Sequence, residues 1–280
     1  MNGVTDCRGI TLACCGLLGT LVTEDGLIER SFAEAIATQG VVSGTSAFAR
    51  RMAQVHQARG QAPGDVMRVL FPENEARAQA AQMAFDRALP DAIGRVVIRP
   101  VPGAVQVLDQ LRAAGCRICV VTSMARRVLD LVLEAAGLHR RVDLTLAAED
   151  APRGFPAPDL VLTALLRIGA GAVQDVAVVH GTGAGVEAGR RSGAGLIAGV
   201  LTGPHPAARL RAAGATSIIP SIADLSALLA DGVATPGPAA TYGSGGTGPH
   251  DHPPGGSAGP NPPGISVPAQ APTERRTSGL

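Results

Sequence analysis

Short apolar runs alternate with helix-period segments along most of this chain, and that rhythm restricts the fold more than any other feature. Residues 10–18, 117–121, 144–147, 176–180, 196–201 and 217–219 are short and apolar enough to read as buried strands. Continuous apolar runs suit strands that are covered on both faces. Between the later runs, Val105, Leu108 and Leu111 share one helical face. Val128, Leu131, Val132 and Ala135 share another, with Gly137 as the stop signal. Strand–helix succession implies right-handed crossovers, so the expected class is α/β, a Rossmann-like doubly wound parallel sheet.

Residues 25–98 break the rhythm and read as helices only. Ile28, Phe32, Ala35 and Ile36 form one stripe, and Phe48, Met52 and Val55 a second. Val66, Val69 and Leu70 form a third, and Ala76, Ala80, Met83 and Arg87 mark a fourth helix. The expected organisation is therefore an α/β core of residues 1–24 and 99–230, interrupted by a helical insertion at 25–98. From residue 231 to 280 the chain is dominated by Pro, Gly, Ser and Thr. It has too few apolar side chains to offset its ordering entropy, so a disordered tail is expected. His250-Asp251-His252 lies in that segment, and two histidines there would hold a metal only weakly.

Composition narrows the partners. Hydrophobic residues make up 46% of the 280 positions and aromatics only 2%, so Ala, Val, Leu and Ile must do the packing. A net charge of +1 gives no field to attract nucleic acid or an anionic membrane. All 24 basic residues are arginine, which removes lysine from both phosphoryl binding and Schiff-base chemistry. The apolar stretch 10–22 is too short to span a bilayer, and its acidic flanks suit a signal peptide poorly. Five cysteines (Cys7, Cys14, Cys15, Cys116, Cys119) in or near apolar runs fit free buried thiols, hence a cytoplasmic protein.

Four segments carry the chemical signal. They are Thr11-Leu-Ala-Cys-Cys-Gly-Leu-Leu-Gly-Thr-Leu21, Cys119-Val-Val-Thr-Ser123, Gly154-Phe-Pro-Ala-Pro-Asp159 and Val178-Val-His-Gly-Thr-Gly-Ala-Gly-Val-Glu-Ala-Gly-Arg190. Together they resemble the four motifs of the haloacid dehalogenase superfamily, most closely its phosphonatase-like branch. That resemblance covers about residues 10 to 229. It implies that the insertion at 25–98 is a cap, a lid over the carboxyl ends of the strands.

The resemblance also implies site positions. Aligning on Gly19-Thr20 puts Gly16 where the family's nucleophilic aspartate stands and Leu18 at the second acid. Phe155 takes the place of the phosphate-holding cation, and Gly181 and Gly185 those of the Mg²⁺-binding acids. Gly60-Gln-Ala-Pro63 matches the cap frame in which phosphonatases carry a lysine, and puts Pro63 there. Gly19, Thr20, Thr122, Ser123 and, two residues before Phe155, Arg153 remain as candidate phosphate-binding groups. Mg²⁺ is the family's cofactor, but its carboxylate ligands are absent, so no cofactor is expected. Aspartate is not scarce elsewhere: Asp65, Asp109, Asp130 and Asp224 all persist.

A catalytically inactive relative, a pseudoenzyme, follows as the leading expectation. It would bind a small phosphorylated metabolite or a protein partner, possible forms of the latter including a second copy of itself. The alternative is a residual or altered phosphatase-type hydrolase. On that reading His180 is a base at a strand's carboxyl end, against the plainer reading of a histidine bonded to backbone. Cys14 has the strand parity to face the nucleophile position and Cys15 does not, with buried structural thiols the plainer reading of both.

Overall fold

Each of the six apolar runs is a strand in the computed structural model, which describes residues 9–23 and 25–231. They are β1 (Leu12–Gly16), β2 (Arg117–Val121), β3 (Leu144–Leu146), β4 (Val176–His180), β5 (Leu196–Val200) and β6 (Ser217–Ile219). All pair in parallel, in the order β3-β2-β1-β4-β5-β6. The chain winds outward from β1 through β2 and β3, then returns to place β4 on β1's other side. The crevice at the carboxyl ends of β1 and β4 is thus the topological switch point, where open α/β sheets bind ligands.

Strand pleating divides the core in two. Ala13 and Cys15 of β1 face one side, with Ile118, Val120, Ala177 and Val179. There they meet α5 (Ala104–Ala113), α6 (Arg126–Ala135) and α10 (Leu225–Asp231). Leu12 and Cys14 face the other, packed with Cys119, Val121, Val176 and Val178 against α7 (Asp159–Ile168) and α8 (Gly183–Ser192). The faces of α5 and α6 are broader than the apolar spacing indicated: Val107, Leu129 and Leu133 are buried, while Ala135 is exposed. Gly137, at φ +66°, follows the end of α6 in a conformation that costs a non-glycine residue energy. The remaining core helix, α9 (Ala207–Ala213), lies between β5 and β6.

Between β1 and α5 come α1 (Leu27–Thr38), α2 (Ser46–Ala58), α3 (Pro63–Leu70) and α4 (Glu75–Ile93). Phe32 of α1 and Phe85 of α4 hold the layer together, with ring centroids 4.4 Å apart. One detail departs from the sequence reading: Val69 is half exposed. The fourth helix marked by Ala76, Ala80, Met83 and Arg87 is present, and it buries Ala78, Ala81, Phe85 and Leu89. An alanine-rich helix has little apolar contrast between faces, and Phe85 decides the matter by its larger buried area. No described helix is long and apolar enough to cross a membrane. Cys7, His250-Asp251-His252 and the tail beyond Asp231 lie outside the described residues.

Candidate functional site

At the switch point β1 ends on Gly16 and the chain turns tightly. The carbonyl of Leu17 accepts hydrogen bonds from the N–H groups of Leu21 (2.9 Å) and Val22 (3.1 Å), and Gly19 N–H donates to Val22 O at 2.7 Å. This turn places the Thr20 hydroxyl against β4's own exit loop, where it accepts from Gly181 N–H at 3.0 Å. Thr20 is fully buried, so its oxygen serves to join two loops.

The three glycines that the resemblance placed at acid positions are all close-packed. A side-chain carbon on Gly16 would lie 2.8 Å from Cδ2 and Nε2 of His180 and 2.8 Å from Thr20 Oγ1. One on Gly185 would lie 2.2 Å from His180 Cγ. One on Gly181 would lie 2.7 Å from Gly203 Cα and 2.9 Å from the Gly19 carbonyl oxygen. The His180 imidazole therefore occupies the space beside positions 16 and 185, and backbone occupies the space beside 181. This filling could not be read from the motif, in which His180 is only the residue before Gly181.

His180 is 5% exposed. Thr182 N–H donates to its Nδ1 at 3.2 Å, and Thr182 Oγ1 lies 3.0 Å from the same nitrogen. Because the backbone N–H can only donate, Nδ1 is the acceptor and the neutral ring carries its hydrogen on Nε2. Burial, with a smaller contribution from His205, pushes the imidazole down to about 4. Phe155 closes the site from the other side, edge-on to His180 with centroids 5.2 Å apart and planes at 88°. Phe155 is buried, and its N–H donates to Ser123 Oγ at 2.9 Å. Thr122 Oγ1 accepts from Met124 N–H at 3.2 Å.

What remains open is a cavity of about 40 Å³ lined by Leu18, Thr122, Ser123, Phe155, His180 and Thr182, with Arg59 and Gly60 from the helical insertion. A water needs roughly 10–15 Å³ of such volume, so there is room for a few waters and not for an organic phosphate. Gly60 brings the insertion directly against the core. At φ +94°, its missing side chain would otherwise meet Thr182 Oγ1 at 2.2 Å.

Other sequence candidates fall differently. Arg153 does not reach the cavity: its side chain is 70% exposed and is held by both carboxylate oxygens of Asp159. Nothing in the spacing of Arg153 showed that Asp159, six residues on, would claim it. Pro63 stands at the start of α3, buried and outside the cavity lining. Cys14 and Cys15 lie on opposite faces of the sheet, both fully buried. Arg59 was not anticipated. It is 5% exposed, lines the cavity and pairs with Glu29 of α1, a partner thirty positions away that no local pattern identifies. His205 was missed as well. Its Nδ1 accepts from Gly183 N–H at 2.8 Å, leaving Nε2–H to donate to the His56 carbonyl at 3.1 Å.

Mg²⁺ does not fit this donor set. Among the described residues no group of three or more His, Cys, Asp or Glu side chains could hold a metal ion. The cavity lining offers hydroxyls and one imidazole but no carboxylate, and Mg²⁺ seeks near-octahedral oxygen coordination anchored by carboxylates.

A parallel sheet of this order, with a crevice between β1 and β4 and helices inserted after β1, defines a doubly wound α/β protein. The chain belongs to the haloacid dehalogenase-like hydrolase family, which it matches over residues 14–193. It is 33% identical to a phosphonoacetaldehyde hydrolase of Bordetella pertussis over 124 residues, 42% of this chain and 44% of that protein. The match thus spans less than half the length of that relative. It is 32% identical over 160 residues to the "Probable phosphatase IndB" of Dickeya dadantii, covering 55% of this chain and 67% of that one. Among solved structures, a phosphonoacetaldehyde hydrolase-like protein from Oleispira antarctica superposes with a TM-score of 0.71 at 21% identity, over 82% of this chain and 95% of that one. A hydrolase from Pseudomonas syringae gives 0.68 at 24% identity, over 79% and 97%. These two likenesses establish the fold.

Proposed function

We propose that this chain is a pseudoenzyme of its family, one that binds a small phosphate-bearing metabolite without turning it over. The observation that carries this reading is the position of His180, whose ring fills the space a carboxylate on residue 16 or 185 would need. Without a side chain at Gly16 no aspartyl-phosphate can form, and without acids at 181 and 185 nothing anchors Mg²⁺. The same region keeps neutral groups suited to phosphoryl oxygens, the Thr122 and Ser123 hydroxyls that line the cavity. Helices α1–α4, read as a cap over residues 25–98, would have to draw back at Arg59 and Gly60 to admit a ligand.

An altered hydrolase using His180 as base finds no support. With Nδ1 already accepting from Thr182, the other ring nitrogen carries a hydrogen, and an imidazole pushed down to about 4 is a weak base.

The test is an assay of the purified protein against a panel of phosphomonoesters and phosphonoacetaldehyde, with Mg²⁺ and with EDTA, alongside thermal shifts for each compound. A raised melting temperature without product is the expected result. Mg²⁺-dependent turnover would overturn the reading.

A further inference from the structure

A second cavity lies away from the switch point, within the helical insertion. Its volume is about 520 Å³, and it opens between α2, the end of α3 and the turn into α4. That volume falls within the range of small-molecule sites, roughly 300–1,000 Å³. Arg50, Arg51 and Arg77 contribute three guanidinium groups to its lining, against one carboxylate, Glu73.

A basic surface is ordinarily a solvated surface, but two observations set this one apart. First, Phe71, itself buried, holds two of the arginines: the guanidinium carbons of Arg51 and Arg77 lie 5.1 and 4.9 Å from its ring centroid. Stacking of this kind fixes the guanidinium fork in advance of binding. Secondly, Arg51 Nε is buried and has no hydrogen-bond partner. A buried donor left unpaired carries a cost that an external acceptor would relieve. None of Arg50, Arg51 and Arg77 forms an ion pair among the described residues, whereas Arg68, Arg141, Arg153 and Arg191 do. Arg77 is steadied from behind by a hydrogen bond to the Gln39 carbonyl.

We propose that this cavity is a second ligand site, which takes a small molecule bearing at least two anionic oxygen groups, phosphate or carboxylate. Three cations against one acid match a dianion or a more highly charged ligand, and preset guanidinium forks match planar or tetrahedral oxyanions. Phe71 is already covered by guanidinium, so recognition is through charge and geometry rather than through stacking of an aromatic ring.

The test is calorimetric titration of the full chain with pyrophosphate and with citrate at low ionic strength, on the natural protein and on Arg51→Gln, Arg77→Gln and Arg153→Gln, the last an exposed arginine outside both cavities. Saturable binding of either probe that weakens at least about tenfold in Arg51→Gln and Arg77→Gln, and is unchanged in Arg153→Gln, is the expected result. Pyrophosphate alone binding identifies a phosphate ligand, and citrate alone a polycarboxylate; both support the site. Because loss of a stacked arginine can disturb α2 or α4, Arg50→Gln, which leaves the Phe71 stack intact, must also weaken binding. Failure of both probes to bind up to about 10 mM overturns the proposal. Binding that survives in Arg50→Gln, Arg51→Gln and Arg77→Gln, or that weakens as much in Arg153→Gln, overturns it equally.

Discussion

A side-chain carbon on Gly185 would sit 2.2 Å from Cδ2 and Cγ of His180, so the glycine and the imidazole share one volume. Gly185 lies in the first turn of α8, where alanine would ordinarily be favoured over glycine by about 1 kcal/mol. Overpacking against a buried ring costs about 1–3 kcal/mol and outweighs it. Gly185→Ala should therefore destabilise the protein, and the same substitution in a His180→Gly background should be neutral or stabilising. Urea unfolding of the four proteins measures the coupling. Equal costs in the two backgrounds would show that the ring does not occupy that space.

Ser123 and Arg153 were both candidates for holding phosphate, and they should behave oppositely. Ser123→Ala leaves the buried Phe155 N–H without its acceptor, at a cost of about 1–3 kcal/mol. Arg153 is 70% exposed and outside the cavity lining, so Arg153→Ala should leave the binding of phosphate compounds unchanged, with at most a small fall in melting temperature from losing its pair with the largely buried Asp159. A loss of phosphate binding in Arg153→Ala would return that residue to the site.

Cys14 and Cys15 should resist thiol reagents while the protein is folded. Both are fully buried; burial pushes the Cys15 thiol up, and a hydrogen bond with Cys119 followed by burial does the same for Cys14. Alkylation mapped by mass spectrometry should find both unmodified in buffer and modified in urea. Rapid native labelling of Cys14 would reopen the question of a reactive thiol near Gly16.

The strands and the insertion were legible because they depend on apolar run length and helical period, which are local properties. All six strands fall within the runs that announced them, with only the ends of β1, β3 and β5 trimmed. The face of α4 was not legible, since alanines on both sides left Phe85 to decide it. The family resemblance put Gly16, Gly181 and Gly185 at acid positions. It gave no hint that His180 would turn inward over two of them, or that Gly203 would approach the third, because both depend on loops meeting in space. Arg59 with Glu29, and His205 with the His56 carbonyl, escaped for the same reason.

Acid should destabilise the protein through its two buried histidines. His180 and His205 are each pushed down to about 4 from an ordinary 6.5, in both cases chiefly by burial. His180 faces Phe155 and Thr182, shares its cavity with Arg59 and is lowered further by His205; His205 faces His56, Arg59 and Arg209, all of which disfavour its protonation. A hydrogen bond to the His56 carbonyl works the other way but does not prevail. Since the folded values lie below the unfolded ones, the unfolded chain binds more protons between pH 6.5 and 4. Stability is therefore fully present above about pH 6.5 and is lost progressively as pH falls towards 4. Linkage gives about 2 kcal/mol per histidine between pH 7 and pH 5. Urea unfolding at the two pH values should show that loss in the natural protein. In His205→Asn the protein should be weaker at pH 7, having lost its link to His56, yet its loss on going to pH 5 should be about half as large. A natural protein equally stable at pH 7 and pH 5 would mean that both rings reach solvent. An undiminished loss in His205→Asn would place the second titrating group elsewhere.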